Sequence, residues 1–253
     1  MNRIKDYKEL ETKIVTWITD YVNKNNLCGL VIGVSGGIDS AVVSTLCAKT
    51  ELPTYVLSMP LNSNPNSDDL SDSYTDYLED NYNNVTKIRV DLSPVYEKFI
   101  SSMNFWTGDG EFTSNNLANA NTKSRMRMVT LYQIAGTIGG IVVGTGNKVE
   151  DYGVGFYTKY GDGGVDIAPI ADLYKTEVWE LGKHLGVDER IVAASPTDGL
   201  WDDGRTDEDQ LGATYEQIED AMENGTEGVG MQVLQKFQAL NNHKMNPIPT
   251  FKL

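Results

Sequence analysis

A glycine-rich turn directly after a short apolar run restricts this chain to a small set of folds. The run covers residues 29–34, and a helix-forming stretch follows over residues 38–49. The turn and its flanks read Gly33-Val34-Ser35-Gly36-Gly37-Ile38-Asp39-Ser40. Glycines permit a tight turn, and the amides of such a turn and of the following helix N-terminus can surround an anion. The sequence therefore predicts a strand–turn–helix unit that binds phosphate.

Asp39 lies within this predicted anion site, although a carboxylate repels phosphate. A divalent cation between the two removes the conflict, so the residue predicts Mg²⁺. The spacing differs from the GxxxxGK[ST] phosphate loop and from the GxGxxG dinucleotide fingerprint. The alternative is a plain strand-to-helix turn in which a serine caps the helix.

The order of apolar and amphipathic segments predicts the fold class. Further strands are expected at residues 53–59, 87–92 and 140–145, and helices at residues 4–24, 115–137 and from 173 to about 240. Strands that alternate with helices indicate an α/β fold, here a Rossmann-like, doubly wound parallel sheet with helices on both faces. On the first helix, we expect Ile14, Trp17, Ile18 and Val22 to share the buried face.

The site is expected where the strand order of the sheet reverses, because open parallel sheets bind ligands there, at the carboxyl ends of the strands. The first and fourth predicted strands both end in polar turns that contain glycine. This places the predicted site between residues 35–40 and residues 145–150.

The charge of the chain argues against several classes of partner. Lysine and arginine number 21 against 36 aspartate and glutamate residues, which gives a net charge of −15. Such a surface repels nucleic acid and anionic membranes. No run reaches the roughly 20 apolar residues of a membrane-spanning helix, and the N-terminus carries charges where a signal peptide is apolar. We expect a cytoplasmic protein.

Cysteine and histidine offer little chemistry in this sequence. The two cysteines, Cys28 and Cys47, are too few for a disulfide framework or a zinc site, and we expect both to be buried and reduced. The two histidines are His184, expected on a helix face, and His243. Carboxylates, lysines and glycines are left to carry any reaction.

The glycine-rich turn resembles the pyrophosphatase-type loop (PP-loop) of ATP-dependent synthetases that release AMP and pyrophosphate. GMP, asparagine and argininosuccinate synthetases, tRNA thiolases and NAD synthetases share that loop, so it does not choose among them. A second block does: GTGNKVED at residues 144–151, FYTKYGDGGVD at 156–166 and PIADLYKT at 169–176 resemble the NAD synthetase signature. Further matches are Asn121, residues 125–128, Pro196, Thr197, Asp207, Glu208, Leu211, Gly212, His243 and Lys244.

The resemblance implies a reaction and an organisation. The family amidates deamido-NAD with ammonia and ATP, through an adenylated carboxylate, to give NAD, AMP and pyrophosphate in the last step of NAD biosynthesis. It implies the adenine nucleotide alpha hydrolase-like version of the fold, Mg²⁺, and a homodimer. Because the loop begins only about 30 residues into the chain, we expect one domain over residues 1–253, with no glutamine amidohydrolase domain, and free ammonia as the nitrogen source.

The resemblance also assigns site residues. Asp39 and Lys175 are the expected catalytic residues. Asp39 and Glu150 are the expected metal ligands, and Asp151 is an alternative to Glu150. ATP is expected on residues 33–40 and on Thr145, Lys175 and Thr197. Deamido-NAD is expected on Arg125, Lys159, Asp166, His243 and Lys244. Arg125 and Arg127 point about 200° apart on a helix, so spacing alone does not decide which one faces a ligand.

Three other functions compete with this interpretation. A tRNA thiolase predicts a basic surface and reactive cysteines, which the charge of −15 opposes. A GMP synthetase would not be expected to contain the YTKYGDGG block. A nucleotide-binding sensor without activity has no need of Asp39, Glu150, Lys175 and Thr197 together.

Overall fold

A parallel sheet forms the centre of the structure, a computed structural model that describes residues 3–62, 65–103, 116–196 and 206–252. In this described part, the sheet has four strands: β1 (Leu30–Gly33), β2 (Thr54–Ser58), β3 (Val85–Arg89) and β4 (Ile141–Val142). Their order is β3-β2-β1-β4, and every pair is parallel. The predicted α/β class with a parallel sheet is confirmed.

Helices connect and cover the strands. They are α1 (Tyr7–Lys24), α2 (Ile38–Ala48), α3 (Pro65–Asn81), α4 (Ser93–Met103), α5 (Asn116–Ile138), α6 (Lys175–Leu185), α7 (Glu189–Val192), α8 (Asp207–Leu211), α9 (Tyr215–Asn224) and α10 (Val229–Met245). A π-helix spans Lys148–Val154. π-helices are rare and frequently occur at functional sites.

The core divides into layers that follow the alternation of side chains along the strands. Leu30 and Ile32 of β1 pack with α1, α2 and α6 on one face of the sheet. Val31, between them, packs with α5 on the opposite face. This period of two places helices on both faces of the sheet, as the sequence predicted. A third cluster joins α9 and α10 to the π-helix.

The first helix differs from the prediction at its start and on one face. It begins at Tyr7, where Asp6 caps it, rather than at residue 4. Ile14, Ile18 and Val22 are buried as predicted, but the prediction for Trp17 is wrong because its side chain is 45% exposed. Trp17 precedes Ile18 by one residue, which turns it about 100° away from the line of the buried residues.

Two predicted strands and one predicted burial need correction. β3 begins two residues earlier than expected, because Val85 pairs with Thr54 of β2. β4 is shorter, since the chain after it bridges to Ile167. Cys28 is exposed, because it lies in the connection before β1 rather than in the strand, whereas Cys47 is buried in α2 as predicted. None of the described helices is both long and apolar enough to span a membrane.

Candidate active site

The strand order reverses between β1 and β4, since β2 and β3 follow on one side of β1 and β4 lies on the other. The two predicted segments meet at this point. The amide nitrogen Nδ2 of Asn147, after β4, donates to Oδ1 of Asp39, after β1, at 3.1 Å. The predicted proximity of the two segments, at the carboxyl ends of β1 and β4, is therefore confirmed.

The turn after β1 is held by its own serines. Ser40 Oγ accepts from the amide of Ser35 at 3.1 Å and donates to the carbonyl of Gly37 at 2.9 Å. Gly36 has a φ of 86°, a conformation that glycine adopts without strain. The turn leads directly into α2, whose first amides have no acceptor within the helix. This geometry suits an anion at the start of α2.

A lysine and two carboxylates form the polar centre of the site. Lys175 Nζ lies 2.5 Å from Oδ2 of Asp39 and 2.9 Å from Oε1 of Glu150. Lys175 is only 3% exposed, although it opens α6, where a lysine is ordinarily solvated and opposes the helix dipole. The structure thus brings together the three residues that the sequence predicted for catalysis and metal binding.

The charges of this cluster keep a proton on the lysine. Burial alone lowers the pKa of Lys175, but the charges of Asp39 and Glu150 outweigh it and raise that pKa above its usual value. Burial raises the pKa of Asp39, and the neighbouring Glu150 charge adds to this. For Glu150, burial is outweighed by Lys175 and by a hydrogen bond from Tyr215, so its pKa is lowered. An ammonium group therefore lies between the two carboxyl groups.

Asn147 connects Asp39 with the segment that carries Glu150. The sequence did not predict this role for Asn147. It is fully buried, and its Oδ1 accepts from the amides of Val149 and Glu150 at 3.0 and 3.1 Å. It therefore caps the π-helix while its Nδ2 contacts Asp39. The signal that could have found Asn147 is its place in the GTGNKVED block.

Glu150, and not Asp151, contacts the lysine. The carboxyl group of Asp151 turns back towards residue 146, so closely that a Cβ at Gly146 would lie 1.9 Å from Oδ2 of Asp151. Burial and the nearby Glu150 charge raise the pKa of Asp151 well above its usual value. Of the two acidic residues that the sequence offered, the geometry favours Glu150 as the partner of Asp39.

The N-terminal arm fixes the start of α6. Arg3 donates from Nε and from one terminal nitrogen to the two oxygens of Glu177, at 3.0 and 2.7 Å. The same terminal nitrogen donates to the carbonyl of Asp172, and the guanidinium lies 4.4 Å from the ring centre of Tyr174. Arg3 thus supports the residues on both sides of Lys175, a role that no motif indicated.

The residues predicted for deamido-NAD gather around one loop. Ser124 of α5 donates to Oδ1 of Asp162 at 2.7 Å, which closes the loop against that helix. Arg125 is exposed and donates from Nε to the carbonyl of Lys159 at 3.2 Å. Arg127, on the other side of α5, donates to the carbonyl of Met59 after β2. Both arginines thus lie near the carboxyl edge of the sheet.

The end of α10 holds the same loop through reciprocal contacts. The hydroxyl of Tyr157 donates to the carbonyl of Lys244 at 2.7 Å, and Lys244 Nζ donates to the carbonyl of Tyr157 at 2.7 Å. Lys159 Nζ reaches the carbonyl of His243 at 3.5 Å. His243 and Lys244 therefore lie in the last turn of a helix, beside Lys159.

Three further predicted residues have different surroundings. Asp166 accepts from the amide of Val142 and from the hydroxyl of Tyr132, so it also anchors its loop to β4 and α5. Thr145 is half-buried directly after β4. Thr197 lies outside the described residues.

A cleft of about 470 Å³ lies between this loop, the π-helix and the end of α10. It extends from Asp151, next to Glu150, to the end of α10. The residues that line it are Asp151, Tyr152, Tyr157, Gly163, Val165, Ala168, Gln238, Asn242, Met245 and Asn246.

A family model described as NAD synthase matches residues 10–248 of the chain. The chain belongs to the NAD synthase family. It is 39% identical to the NH(3)-dependent NAD(+) synthetase of Carboxydothermus hydrogenoformans, over 94% of this chain and 95% of that protein. It is 36% identical to the protein of the same name from Methanosarcina acetivorans, over 96% and 92%. The predicted family is confirmed.

Two solved structures share the fold over nearly all of both chains. The NMN synthetase of Francisella tularensis is 34% identical, with a TM-score of 0.89 over 99% of this chain and 100% of that one. The NH3-dependent NAD synthetase of Campylobacter jejuni is 24% identical, with a TM-score of 0.77 over 98% and 100%. At that lower identity the second similarity shows the fold alone.

Within the NAD synthase fold of this chain, Tyr215 is the site residue that sequence reasoning missed most completely. It lies on α9, three residues after the matching Leu211-Gly212 pair, and donates its hydroxyl proton to Oε1 of Glu150 at 2.6 Å. Tyr215 stands between Thr214 and Glu216 at the start of a helix, outside any motif, so the sequence alone offered no signal for this contact.

Proposed function

We propose that this protein amidates deamido-NAD with ammonia at the expense of ATP, giving NAD, AMP and pyrophosphate. The observation that carries the proposal is the buried Lys175 ammonium between Asp39 and Glu150, beside the amides at the start of α2. Buried cations and helix amides aimed at one point stabilise a polyphosphate and the negative charge that develops on it.

In the proposed reaction, the nicotinate carboxylate attacks the α-phosphorus of ATP, and pyrophosphate leaves. Ammonia then attacks the carbonyl carbon of the mixed anhydride, AMP leaves, and the nitrogen loses a proton to become the carboxamide. The chain needs no covalent nucleophile for these steps. Its residues orient the reactants, stabilise charge and keep water from the adenylate.

Asp39 and Glu150 fit a magnesium ion. They are oxygen donors that already hold one cationic group between them, the Lys175 ammonium. No cluster of three or more metal-ligating side chains occurs among the described residues. Two carboxylates are nevertheless sufficient, because Mg²⁺ is usually bound by one or two carboxylates, water and substrate phosphates. When bound, the ion would supply charge neutralisation at the phosphates.

Lys175 would then have to leave its present position. We infer that its ammonium moves from between the two carboxylates to a phosphate oxygen when MgATP binds. The exchange keeps the lysine paired with negative charge in both states, so neither state contains an isolated buried charge. The four-carbon chain of a lysine has the rotational freedom that such a movement needs.

The loop and the end of α10 are the proposed site for deamido-NAD. Arg125, Lys159 and Lys244 offer cations for its phosphates, and the cleft lies beside Lys244, whose partner Tyr157 lines it. Ammonia as the nitrogen donor agrees with the names of the relatives, which are NH(3)-dependent NAD(+) synthetases.

The mononucleotide, nicotinate mononucleotide, is a second candidate substrate. It presents the same pyridine carboxylate without the adenylyl half. The similarity to the Francisella NMN synthetase favours it, since that structure has the higher TM-score of the two, 0.89 against 0.77.

A product assay tests the function and chooses between the two substrates. We expect purified protein with MgATP and ammonium to convert deamido-NAD to NAD, with one AMP for each NAD, and glutamine to be a poor substitute for ammonium. The ratio of kcat/KM for the two carboxylates then ranks the dinucleotide against the mononucleotide. AMP release without either amide would contradict the proposal.

We also propose a homodimer, for which one apolar surface is suited. Val95, Phe99 and Met103 form a line along α4, one turn apart, and are 59%, 44% and 36% exposed. α5 lies alongside, since Lys123 Nζ is 5.7 Å from the ring centre of Tyr96, and it too exposes an apolar side chain, that of Val129, at 60%. Contiguous exposed apolar surface of this kind marks interfaces between protein chains.

The variant Phe99→Glu is expected to convert the dimer to a monomer, because it places a charge in the centre of the apolar line. Light scattering coupled to gel filtration measures the mass of each species. Trp17→Glu is the matched control, since Trp17 is equally exposed at 45% but lies on α1. A dimer that survives Phe99→Glu and dissociates with Trp17→Glu would move the interface to α1.

A further inference from the structure

Resting on the proposed function, we propose that Tyr215 is a positioning residue, which holds the carboxylate of Glu150 in the orientation that the metal–nucleotide complex requires. Its hydroxyl lies 2.6 Å from Oε1 of Glu150 and 3.2 Å from Oδ2 of Asp207. A phenol has one proton, and the shorter contact receives it. Tyr215 is therefore a donor to Glu150.

One oxygen of the Glu150 carboxylate accepts hydrogen bonds from two side chains. Oε1 accepts from Tyr215 and from Lys175, at 2.6 and 2.9 Å. The side chain of Glu150 is 17% exposed, so part of the carboxylate is open to the site. By holding Oε1, Tyr215 fixes how the carboxylate is presented there.

The position of the phenol oxygen is set by the core and not by solvent. Tyr215 is fully buried, and its ring meets that of Trp179 edge-on, with the ring centres 5.8 Å apart. Its amide donates to Oε1 of Glu208 at 3.0 Å, and Thr214 caps the helix that it begins. Val149 and Val154, on either side of Glu150, pack in the same cluster.

Glu150 is thus held from two directions. Asn147 accepts from its backbone amide, and Tyr215 donates to its carboxylate. Outer hydrogen-bond partners of this kind fix the orientation of a ligating carboxylate, and their removal typically costs about 10–100-fold in metal affinity or activity.

The variant Tyr215→Phe removes the hydroxyl and keeps the ring. Because the volume of the core is almost unchanged, the fold is expected to persist. We expect the affinity for a non-hydrolysable ATP analogue with Mg²⁺, measured by calorimetry, to fall by about 10–100-fold. The kcat/KM for MgATP in the amidation assay should fall by a similar factor.

Tyr74→Phe is the matched control. Tyr74 is 3% exposed, and its hydroxyl lies 2.7 Å from Oγ1 of Thr45 in the opposite part of the core. Both variants should lower Tm to a comparable extent, but Tyr74→Phe should leave nucleotide affinity within about twofold of the wild type. A merely structural role for Tyr215 predicts equal nucleotide affinities for the two variants, and that result would overturn the proposal.

A double-mutant cycle with Glu150→Gln tests whether Tyr215 acts through Glu150. The loss of nucleotide affinity caused by Tyr215→Phe should largely disappear when Glu150 is already substituted, since contacting residues are not additive. Additive losses would overturn the proposal.

The binding readout also separates this proposal from the proposed function. A wild type that binds the magnesium–analogue complex but forms no NAD refutes the amidation, while the Tyr215 comparison still decides the positioning role. A wild type that does not bind the complex at all overturns both.

Discussion

The variant Lys175→Met is expected to be the most damaging single substitution in the molecule. It removes the ammonium from between Asp39 and Glu150 and leaves two nearly buried carboxylates facing each other. Removal of one partner from a buried charge pair costs about 3–5 kcal/mol of the free energy of unfolding. Urea denaturation measures this loss, and kcat for AMP release should fall by about 10²–10³-fold because a phosphate contact is also lost.

Lys183→Met is the control for this experiment. Lys183 lies on the same helix and pairs with Glu180 at 2.6 Å, but the side chains are 57% and 53% exposed. Substitution there should change the free energy of unfolding by no more than about 0.5 kcal/mol. Equal stability of the two variants would contradict the structural role of Lys175.

The same variant tests whether lysine and metal compete for one position. Without the ammonium, millimolar Mg²⁺ should bind the nucleotide-free protein between the carboxylates and restore part of the lost stability. The wild type should gain nothing from Mg²⁺ alone. An equal shift of Tm in both proteins would refute the exchange of Lys175 for the metal ion.

Asp39→Asn is expected to remove most of the ATP turnover while the protein still folds. The neutral side chain keeps the shape but loses the charge that pairs with Lys175 and would hold the metal ion. Even the loss of an outer partner of a metal site costs about 10–100-fold, so we expect kcat/KM for MgATP to fall by at least about a hundredfold. Far-ultraviolet circular dichroism should stay unchanged.

The control is Asp76→Asn, which removes a carboxylate from an ion pair with Lys87 on the far edge of the sheet. Since the side chain of Asp76 is 60% exposed, activity and stability should both remain close to those of the wild type. ATP turnover by Asp39→Asn at the level of this control would remove Asp39 from the proposed metal site.

The sequence predicted the parts of the site that depend on the backbone. A short strand that is followed by Ser35-Gly36-Gly37 must turn sharply, and the fold class then brings the ends of β1 and β4 together. For this reason the placement of residues 35–40 beside residues 145–150 was correct. The predicted length of β4 was wrong, because the end of a strand depends on which segments pair with it. Here Val143, directly after β4, forms an isolated bridge with Ile167.

Side-chain partnerships could not be predicted in the same way. A buried lysine at the start of a helix has no sequence pattern, and only the folded geometry shows that Asp39 and Glu150 compensate it. The ring of Tyr215 packs in the core, as is usual for a tyrosine in a helix. The hydrogen bond from its hydroxyl to Glu150 depends on the folded structure and leaves no pattern in the sequence. Cys28 shows the reverse error: it was expected to be buried, but the strand begins two residues later, at Leu30, and Cys28 is exposed.

The lysine cluster also has a consequence for the order of folding. The contact of Asp39 with Asn147 spans 108 positions, and that with Lys175 spans 136. Contacts between such distant segments form slowly, and a chain emerging from the ribosome presents its N-terminal segments first. The turn after β1 therefore exists long before its lysine and carboxylate partners are synthesised. The lysine cluster can therefore form only after the chain has been synthesised as far as Lys175, so the phosphate-binding turn precedes the cation that compensates its carboxylate.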